Sequence, residues 1–587
     1  MKIKVADYIM EFLNNKGIKH VFEVPGGGAM FLNDAVTKSE INPIFCHHEQ
    51  ACAMAAVGYS KLLNKPGLII VSSGCGSTNA ITGVLDAWQD SNPLIVISGQ
   101  ANKDQTTYLS GVPLRKLGVQ EVNIIEIVKS ITKFSQMIVE PNHIQEVLEE
   151  AYHLCTSGRP GPVWIDVPID IQSKIVDTNN LSHWKQNEFI EEGDSQSFKK
   201  FLKESERPII VAGNGVHLSN ARNSFRRFIE KYNIPCVFTF LGADLLPFEH
   251  HLNIGRMGIK GNRAANFAIA NSDLVISVGA SMSIPSIGFQ YHLFAREAKK
   301  IAIDIDKNEH LKDTIKMDEI IEMDAKKFLD SSLSIDYICS DWWVNKCEYW
   351  KTKWGVFDRP DIKQLNMYSF SKKISQITKD RKSAVVTDAG SAYYVISQTI
   401  SNNRIILPGS QGEMGFAIPA SIGVSTACDD MCVMAITGDG SFQFNIQELQ
   451  TITQNKLRIK IFVLNNGGYL SIRNTQIKYF DNRFSGVDKD SGVSFPNLED
   501  VAQTYGINFY KISNMKDLNE TLPKILNDPD CCLCEVVCPS DEKIYPTSAA
   551  KQNSDGSLIG QPLENMSPFL SSEELKKEMI ISVYDEK

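Results

Sequence analysis

The stretch "CVMAITGDGSFQFNIQELQTITQNKLRIKIFVLNNGGY", Cys432 to Tyr469, decides how this chain folds. Its opening reads as a buried strand closed by a glycine turn around Asp439. Its end, "IKIFVLNN", reads as a second strand finishing at Asn465 and Asn466. Between them, "SFQFNIQELQTITQNK" has the pattern of a crossover helix. A right-handed crossover makes the two strands parallel and brings their carboxyl ends to one edge of the sheet. Ligands of open parallel sheets bind at that edge. Asp439 and Asn466 are then neighbours in space, though distant in sequence. A carboxylate, an amide oxygen and a nearby backbone carbonyl are hard ligands that suit Mg²⁺, with phosphate oxygens completing its shell. The flanking glycines let backbone N–H groups approach those phosphates. The stretch therefore reads as a site for a magnesium diphosphate, although Asp-Gly by itself is a common turn.

The same rhythm runs outward through the chain. Short β-rich runs such as "HVFEV", "GLIIVSS", "PLIVISG", "PVWIDVP", "PIIVAG", "LVISVGA", "KIAIDID" and "AVVTDAG" alternate with amphipathic stretches such as "VADYIMEFLNNKG". That alternation predicts α/β architecture: doubly wound parallel sheets with helices on both faces. Two polar, poorly periodic stretches, one beginning at Ile169 and one at Met323, read as linkers that carry some helix. They divide the chain into an N-terminal domain over 1–180, a central Rossmann-like domain over 190–340 and a third domain over 360–545. Residues 546–587 read as an extended tail ending in a short charged helix.

Composition bounds the function. Hydrophobic residues make up 43% and charged residues 22% of the 587, ordinary for a soluble globular protein. The net charge of -9 gives no footprint for nucleic-acid binding. No apolar run approaches a membrane span, and the start, "MKIKVADYIMEFL", lacks the pattern of a signal peptide. The 13 cysteines are scattered, which fits a reducing cytoplasm better than a disulfide framework. Their densest group is Cys531, Cys532, Cys534 and Cys538. It reads as a buried strand face shared by Cys532, Cys534 and Val536, with a metal site as the lesser alternative. No strand–GxGxxG–helix unit with a following acid stands out, so a nicotinamide oxidoreductase is excluded as the main reading.

A second chemical element lies near the start. In "FCHHEQACAMAAVGYSKL", Glu49 opens a helix-compatible run of small residues. Taken alone, it is a capping glutamate, since acids favour helix N-termini. His47 and His48 beside it hint at a metal, but no further ligand has suitable spacing.

Together these motifs resemble the thiamin diphosphate enzyme family, in which GDG is followed at a fixed distance by NN. The resemblance extends over roughly residues 1–545 and is nearest the acetolactate synthase branch. "VFEVPGGGAMFLNDAV", "SSGCGSTNAITGVLDAWQDSNPLIVISGQ", "LGVQE", "SGRPGPVWIDVPIDIQ" and "GEMGFAIPASIG" follow in the family's order. The resemblance implies thiamin diphosphate and Mg²⁺ as cofactors, with Asp439, Asn466 and the backbone oxygen of Gly468 as metal ligands. Gly438, Gly440, Ser441, Tyr469 and Leu470 would line the diphosphate site. Glu49 would hydrogen-bond the cofactor's pyrimidine nitrogen as the catalytic proton relay. Met414 would prop the cofactor in its bent form, Gly412 would accept from its amino group, and Gly26 and Gly27 would line the pyrimidine or substrate side. Gln120 and Gly27 would stand near the substrate. The implied site lies between subunits, so a homodimer or a dimer of dimers is expected.

The implied reaction is decarboxylation of a 2-oxo acid such as pyruvate, with transfer of the acyl unit to a carbonyl acceptor. Two departures bear on that acceptor. Ser281 to Ser283 stand where the family carries an arginine-containing segment tied to FAD and to the substrate carboxylate. Thr475 stands where a tryptophan favours a small 2-oxo acid, leaving room for a larger acceptor such as a keto sugar. FAD stays open, because "VAGNGVHLSN" still resembles the central domain's glycine turn. The alternatives are a non-ligating 2-oxo acid decarboxylase, an authentic acetolactate synthase, or a catalytically dead homologue. Intact Glu49, Asp439 and Asn466 argue against the last.

Overall fold

In the computed structural model, residues 1–185, 196–401, 403–552 and 558–584 are described. The polar run expected to link the first two domains lies partly outside them. Three sheets, each of six parallel strands, carry the chain. The first holds β1 (His20–Glu23), β2 (Asn42–Phe45), β3 (Gly67–Val71), β4 (Leu94–Gln100), β5 (Phe134–Met137) and β6 (Pro162–Pro168), in the order β2-β1-β3-β4-β6-β5. The second holds β7 (Pro208–Ala212), β8 (Cys236–Phe238), β9 (Asn253–Arg256), β10 (Leu274–Val278), β11 (Lys299–Asp304) and β12 (Glu319–Glu322), in the order β9-β8-β7-β10-β11-β12. The third holds β13 (Ser383–Thr387), β14 (Arg404–Ile406), β15 (Cys432–Gly438), β16 (Lys460–Asn465), β17 (Asn508–Ile512) and β18 (Cys532–Val537), in the order β14-β13-β15-β16-β18-β17. The first and third sheets share one strand order, and the central sheet has the dinucleotide-fold order.

The strands read as continuous apolar runs because helices cover both faces. Every residue of β3, β4 and β6 is buried. The first and third domains share one hydrophobic core, while the central domain has its own. The shared core is closed by two helices, Glu49–Leu63 and Ala417–Ala427, that cross through small residues. A Cβ on Gly58 would strike the Ala420 carbonyl, and one on Gly423 would strike the Ala55 carbonyl.

Three elements differ from the sequence expectation. The crossover between β15 and β16 is a 3-10 turn, Ser441–Asn445, followed by a short helix, Glu448–Gln454, and not one continuous helix. The stretch from Met323 is less a linker than part of the central domain. Its helix Asp341–Lys353 buries Trp343, Cys347 and Trp350 in the central core. The tail is not free: Leu563 and Leu575 join that same core. Glu578, in the helix Ser572–Glu578, accepts from Tyr349 (2.9 Å), Trp350 (3.1 Å), Lys346 (3.2 Å) and Lys353 (2.9 Å).

Candidate active site

Asp439 follows β15 directly, and Asn466 follows β16. The two strands pair in parallel with Gly438 opposite Leu464, so both residues emerge at the same sheet edge. Asp439 Oδ1 accepts from the Gly440 N–H (2.8 Å) and Oδ2 from the Gly468 N–H (2.9 Å). Burial pushes its carboxyl up to about 6, against the lowering pull of those backbone donors. The Asn466 side-chain oxygen is buried and has no hydrogen-bond partner. An orphaned amide oxygen beside a buried carboxylate is what an absent cation would explain. Arg473 fixes this corner from below. It donates to the carbonyls of Asn466 (3.3 Å), Gly467 (2.8 Å) and Ser540 (2.8 Å).

The glycines here are steric necessities. Gly468 has φ +148, and any Cβ on it would strike the Val487 carbonyl. A Cβ on Gly440 would enter the Tyr469 ring. Ser441 is buried and opens the 3-10 turn, and Leu470 starts the helix Leu470–Tyr479. Gly412, with φ +64, is exposed, and Met414 is exposed as well. Both project from a turn that Asp388 organises.

Asp388, at the end of β13, was not singled out from the sequence. It is fully buried and accepts from the Thr437 hydroxyl (2.9 Å) and from the N–H groups of Ala389 (3.1 Å), Gly415 (2.8 Å), Phe416 (3.3 Å) and Ala417 (3.4 Å). Burial pushes it up to about 6. One carboxylate thus ties the Met414 turn to β15 at the point where the strand order reverses. The strand "AVVTDAG" carries the signal, an acid at a strand's carboxyl end.

Glu49 opens its helix as expected, and His48 is the N-cap residue, whose ring nitrogen accepts from Gln50 N–H (3.1 Å). Glu49 Oε2 accepts from the Asn79 amide (3.0 Å), a second residue the sequence reading missed. His47 is exposed, and its backbone N–H donates to Glu448 (3.0 Å) of the third domain. Gly26 packs on Ser72 where the first sheet reverses its strand order, and Gly28 N–H donates to the Ser72 hydroxyl (3.2 Å). Gly27 begins a 3-10 turn with open space at its Cβ position. Gln120 is exposed, with φ +53, and its carbonyl lies against Gly74. Thr475 is exposed on the Leu470–Tyr479 helix, its hydroxyl donating to the Ser471 carbonyl (3.1 Å).

Beneath the Met414 turn a buried ion cluster joins the domains. Lys61 donates to Asp86 (3.1 Å), Asp90 (2.8 Å) and the Leu407 carbonyl (2.7 Å), while Asp90 accepts from Ser410 N–H (2.8 Å). Both carboxyl oxygens of Glu413 are buried there without partners, and burial, aided by the Asp86 charge, raises its pKa. A neutral Glu413 is the state that such a site tolerates.

A cavity of about 860 Å³ opens at the reversal point of the central sheet. Gly215, Gly279, Ser281 and Asp304 line one end, and Tyr394 and Gly412 the other. It therefore runs from the central domain to the Met414 turn. Gly215 and Gly279 touch closely enough that a Cβ on either would strike the other's backbone. The cysteines Cys532, Cys534 and Cys538 lie in the apolar core on one side of β18. Among the described residues, no group of three or more His, Cys, Asp or Glu side chains is placed to hold a metal. No helix among them is long and apolar enough to cross a membrane.

Comparison with known proteins agrees with this geometry. Residues 3–127 match the model of the thiamine pyrophosphate enzyme N-terminal TPP binding domain. Residues 196–331 match the family's central domain, and 388–536 its C-terminal TPP binding domain. The acetolactate synthase large subunit of Lactococcus lactis is 33% identical over 94% of this chain and 96% of its own length. The chloroplastic acetolactate synthase of Arabidopsis thaliana is 31% identical over 92% of this chain and 82% of its own. The probable acetolactate synthase large subunit of Methanocaldococcus jannaschii is 30% identical over 92% and 93%. With all three domains present in order, the chain belongs to the thiamine pyrophosphate enzyme family, in its acetolactate synthase-like branch.

Proposed function

We propose that this enzyme decarboxylates a 2-oxo acid, pyruvate in the first instance, and joins the two-carbon unit to a carbonyl acceptor larger than a small 2-oxo acid. The observation that carries the reading is the pairing of Asp439 with the orphaned Asn466 oxygen at one sheet edge. These two, with the Gly468 carbonyl, would hold Mg²⁺, and the backbone around Gly438, Gly440, Ser441, Tyr469 and Leu470 would cradle the diphosphate. Bound there, thiamin diphosphate supplies the nucleophilic carbon and the electron sink that decarboxylation requires. Glu49, which accepts from Asn79, would hydrogen-bond the pyrimidine nitrogen and relay its proton. Met414 would prop the bound cofactor, and the Gly412 carbonyl would accept from its amino group. Gly26, Gly27 and Gln120 bound the substrate side, and Thr475 leaves the acceptor's space open.

The site is completed by a second copy of the chain. Val112, Leu114, Leu117 and Val119 on one loop, and Ile472, Tyr479, Phe480 and Phe484 on the helix Leu470–Tyr479 and the turn after it, are exposed apolar side chains suited to such an interface. FAD is the proposed occupant of the central cavity, whose glycine-lined end and terminal Asp304 suit a dinucleotide. Flavin absorbance in the purified protein checks that assignment.

The deciding experiment measures CO₂ release from pyruvate with thiamin diphosphate and Mg²⁺, with and without candidate acceptors, beside a Glu49→Gln variant. Release that Glu49→Gln abolishes, with acceptor mass increased by an acetyl unit, supports the carboligase. Acetaldehyde as sole product points to the non-ligating decarboxylase. No release from pyruvate by a cofactor-loaded protein rejects the proposed donor.

A further inference from the structure

Glu23 closes β1, three residues before the Gly26–Gly28 turn. A carboxyl is unexpected there. Val21 and Phe22 before it are buried apolar residues, and Glu23 itself is only 1% exposed. Its backbone lies between β2 and β3, opposite Phe45 and Ile70, which carry no charge. Among the described residues its carboxyl accepts from one group, the Asn33 amide (2.7 Å). Asn33 stands in the helix Met30–Lys38, and its side-chain oxygen accepts in turn from Gly26 N–H (3.4 Å). Two bonds thus tie the end of β1, the helix and the turn between them.

The turn is packed toward Glu49. A Cβ on Gly26 would lie 2.4 Å from the Ser72 Cβ, and Gly28 N–H donates to the Ser72 hydroxyl (3.2 Å). Gly76 packs on Ser72 as well: a Cβ there would lie 3.3 Å from the Ser72 Cβ and 3.4 Å from Glu49 Oε1. One side chain, Ser72, therefore bridges the turn to the neighbourhood of the Glu49 carboxyl. The Gly28 carbonyl is held separately by Gln172 (2.7 Å). Asn33 adds the hold on Gly26, beside the exposed Gly27.

An ionised carboxyl only accepts, so it draws the Asn33 amide nitrogen and leaves the amide oxygen for Gly26. A protonated carboxyl can donate to that oxygen instead, and the reversed amide then sets its nitrogen against the Gly26 N–H. Burial raises Glu23 to about 7, against the lowering bond from Asn33. The charged and titratable groups on the packed helices are engaged elsewhere. On Glu49–Leu63, Glu49 accepts from Asn79, Lys61 donates to Asp86 and Asp90, and Tyr59 lies 3.3 Å from a His20 ring nitrogen. On Met30–Lys38, Lys38 pairs with Asp34. A buried carboxyl is costly, and one kept at the carboxyl edge of a parallel sheet marks a functional position.

We propose that Glu23 is a positioning residue for the substrate: through Asn33 it fixes the Gly26–Gly28 turn as the wall that receives the 2-oxo acid beside Glu49. The inference rests on the reaction proposed above for the identity of that substrate.

The test is amide hydrogen exchange on the full chain loaded with thiamin diphosphate and Mg²⁺, at about pH 6 and about pH 8, corrected for intrinsic exchange chemistry. The native protein is compared with Glu23→Ala, Glu23→Gln and Asn33→Ala. At the higher pH, residues 24–28 should exchange about tenfold faster in both alanine variants, the loss of one hydrogen bond in a charge-assisted pair, while β3 and β6 keep their native rates. The native turn should lose this protection at the lower pH. Glu23→Gln, whose amide oxygen still accepts from Asn33, should keep it at both. With pyruvate as substrate, the alanine variants should raise KM about tenfold and leave kcat within about twofold. Native exchange rates at 24–28 in both alanine variants overturn the proposal. So does protection lost equally from β3 and β6, the mark of a merely structural acid, or an unchanged KM. Absent CO₂ release by the native enzyme defeats the reaction proposed above, and the exchange rates then still decide whether Glu23 fixes the turn.

Discussion

Single residues here are governed by burial. Asp388 uses both oxygens to accept from a hydroxyl and four backbone N–H groups. Asp388→Asn turns one of those oxygens into a donor facing donors. A loss of about 1–3 kcal/mol in denaturant unfolding is expected, with weaker cofactor binding, because the Met414 turn hangs on that carboxylate. Asp166 gives a pH-dependent case. It is buried on β6, accepting from Ser98 (2.5 Å) and Gln100 (3.0 Å), and burial raises its carboxyl to about 7. The unfolded chain releases this proton near pH 4, so between about pH 4 and 7 the folded state binds more protons than the unfolded one. Its contribution is full below that window and is lost as pH rises through it, by at most about 1.4 kcal/mol per pH unit. Asp166→Asn should flatten that fall, measured as the change in unfolding free energy from pH 5 to pH 7. A slope equal to that of the native chain would reject the assignment.

Among elements, the decisive contact is the crossing of Glu49–Leu63 with Ala417–Ala427. The run "ACAMAAVGYS" is apolar or small all round, the pattern of a helix with no solvent face. Its glycine lets the partner helix approach at backbone distance, and Gly423 does the same from the other side. Gly423→Ala places a methyl group against a carbonyl that cannot retreat. A loss of about 1–3 kcal/mol is expected in thermal or denaturant unfolding. Activity should fall as well, since the same helix carries Glu49 at its first turn. An unchanged midpoint would show that the helices separate more easily than their packing indicates.

At the scale of the molecule, the tail is a strap on the central domain. Burial alone would raise Glu578, but hydrogen bonds from Lys353, Tyr349 and Lys346 hold it down at about 2. Its anchoring is present above pH 4.5 and is lost as pH falls toward 2, so the strap is closed at neutral pH. Glu578→Ala removes the acceptor for four donors. Cleavage within 546–584 under limited proteolysis should become about tenfold faster, since cleavage follows the open population. Native-like protection would place the anchoring in Leu563 and Leu575 instead.

The sequence by itself determined the three parallel sheets, because strands buried on both faces are continuous apolar runs. It also determined Asp439 and Asn466 as candidates, because strand ends and glycine turns are local signals, while Glu49, a capping glutamate by itself, stood out through the family resemblance. Where local periodicity was weak, the reading failed. "SFQFNIQELQTITQNK" breaks into two pieces, and "DWWVNKCEYWKTK" is a core helix whose tryptophans find partners far away in sequence. Asn79 was decided by tertiary structure alone, and so were the partners of Asp388, although its place at a strand's carboxyl end is legible in "AVVTDAG". Each matters through hydrogen bonds with segments tens of residues distant, and no local pattern encodes such partners.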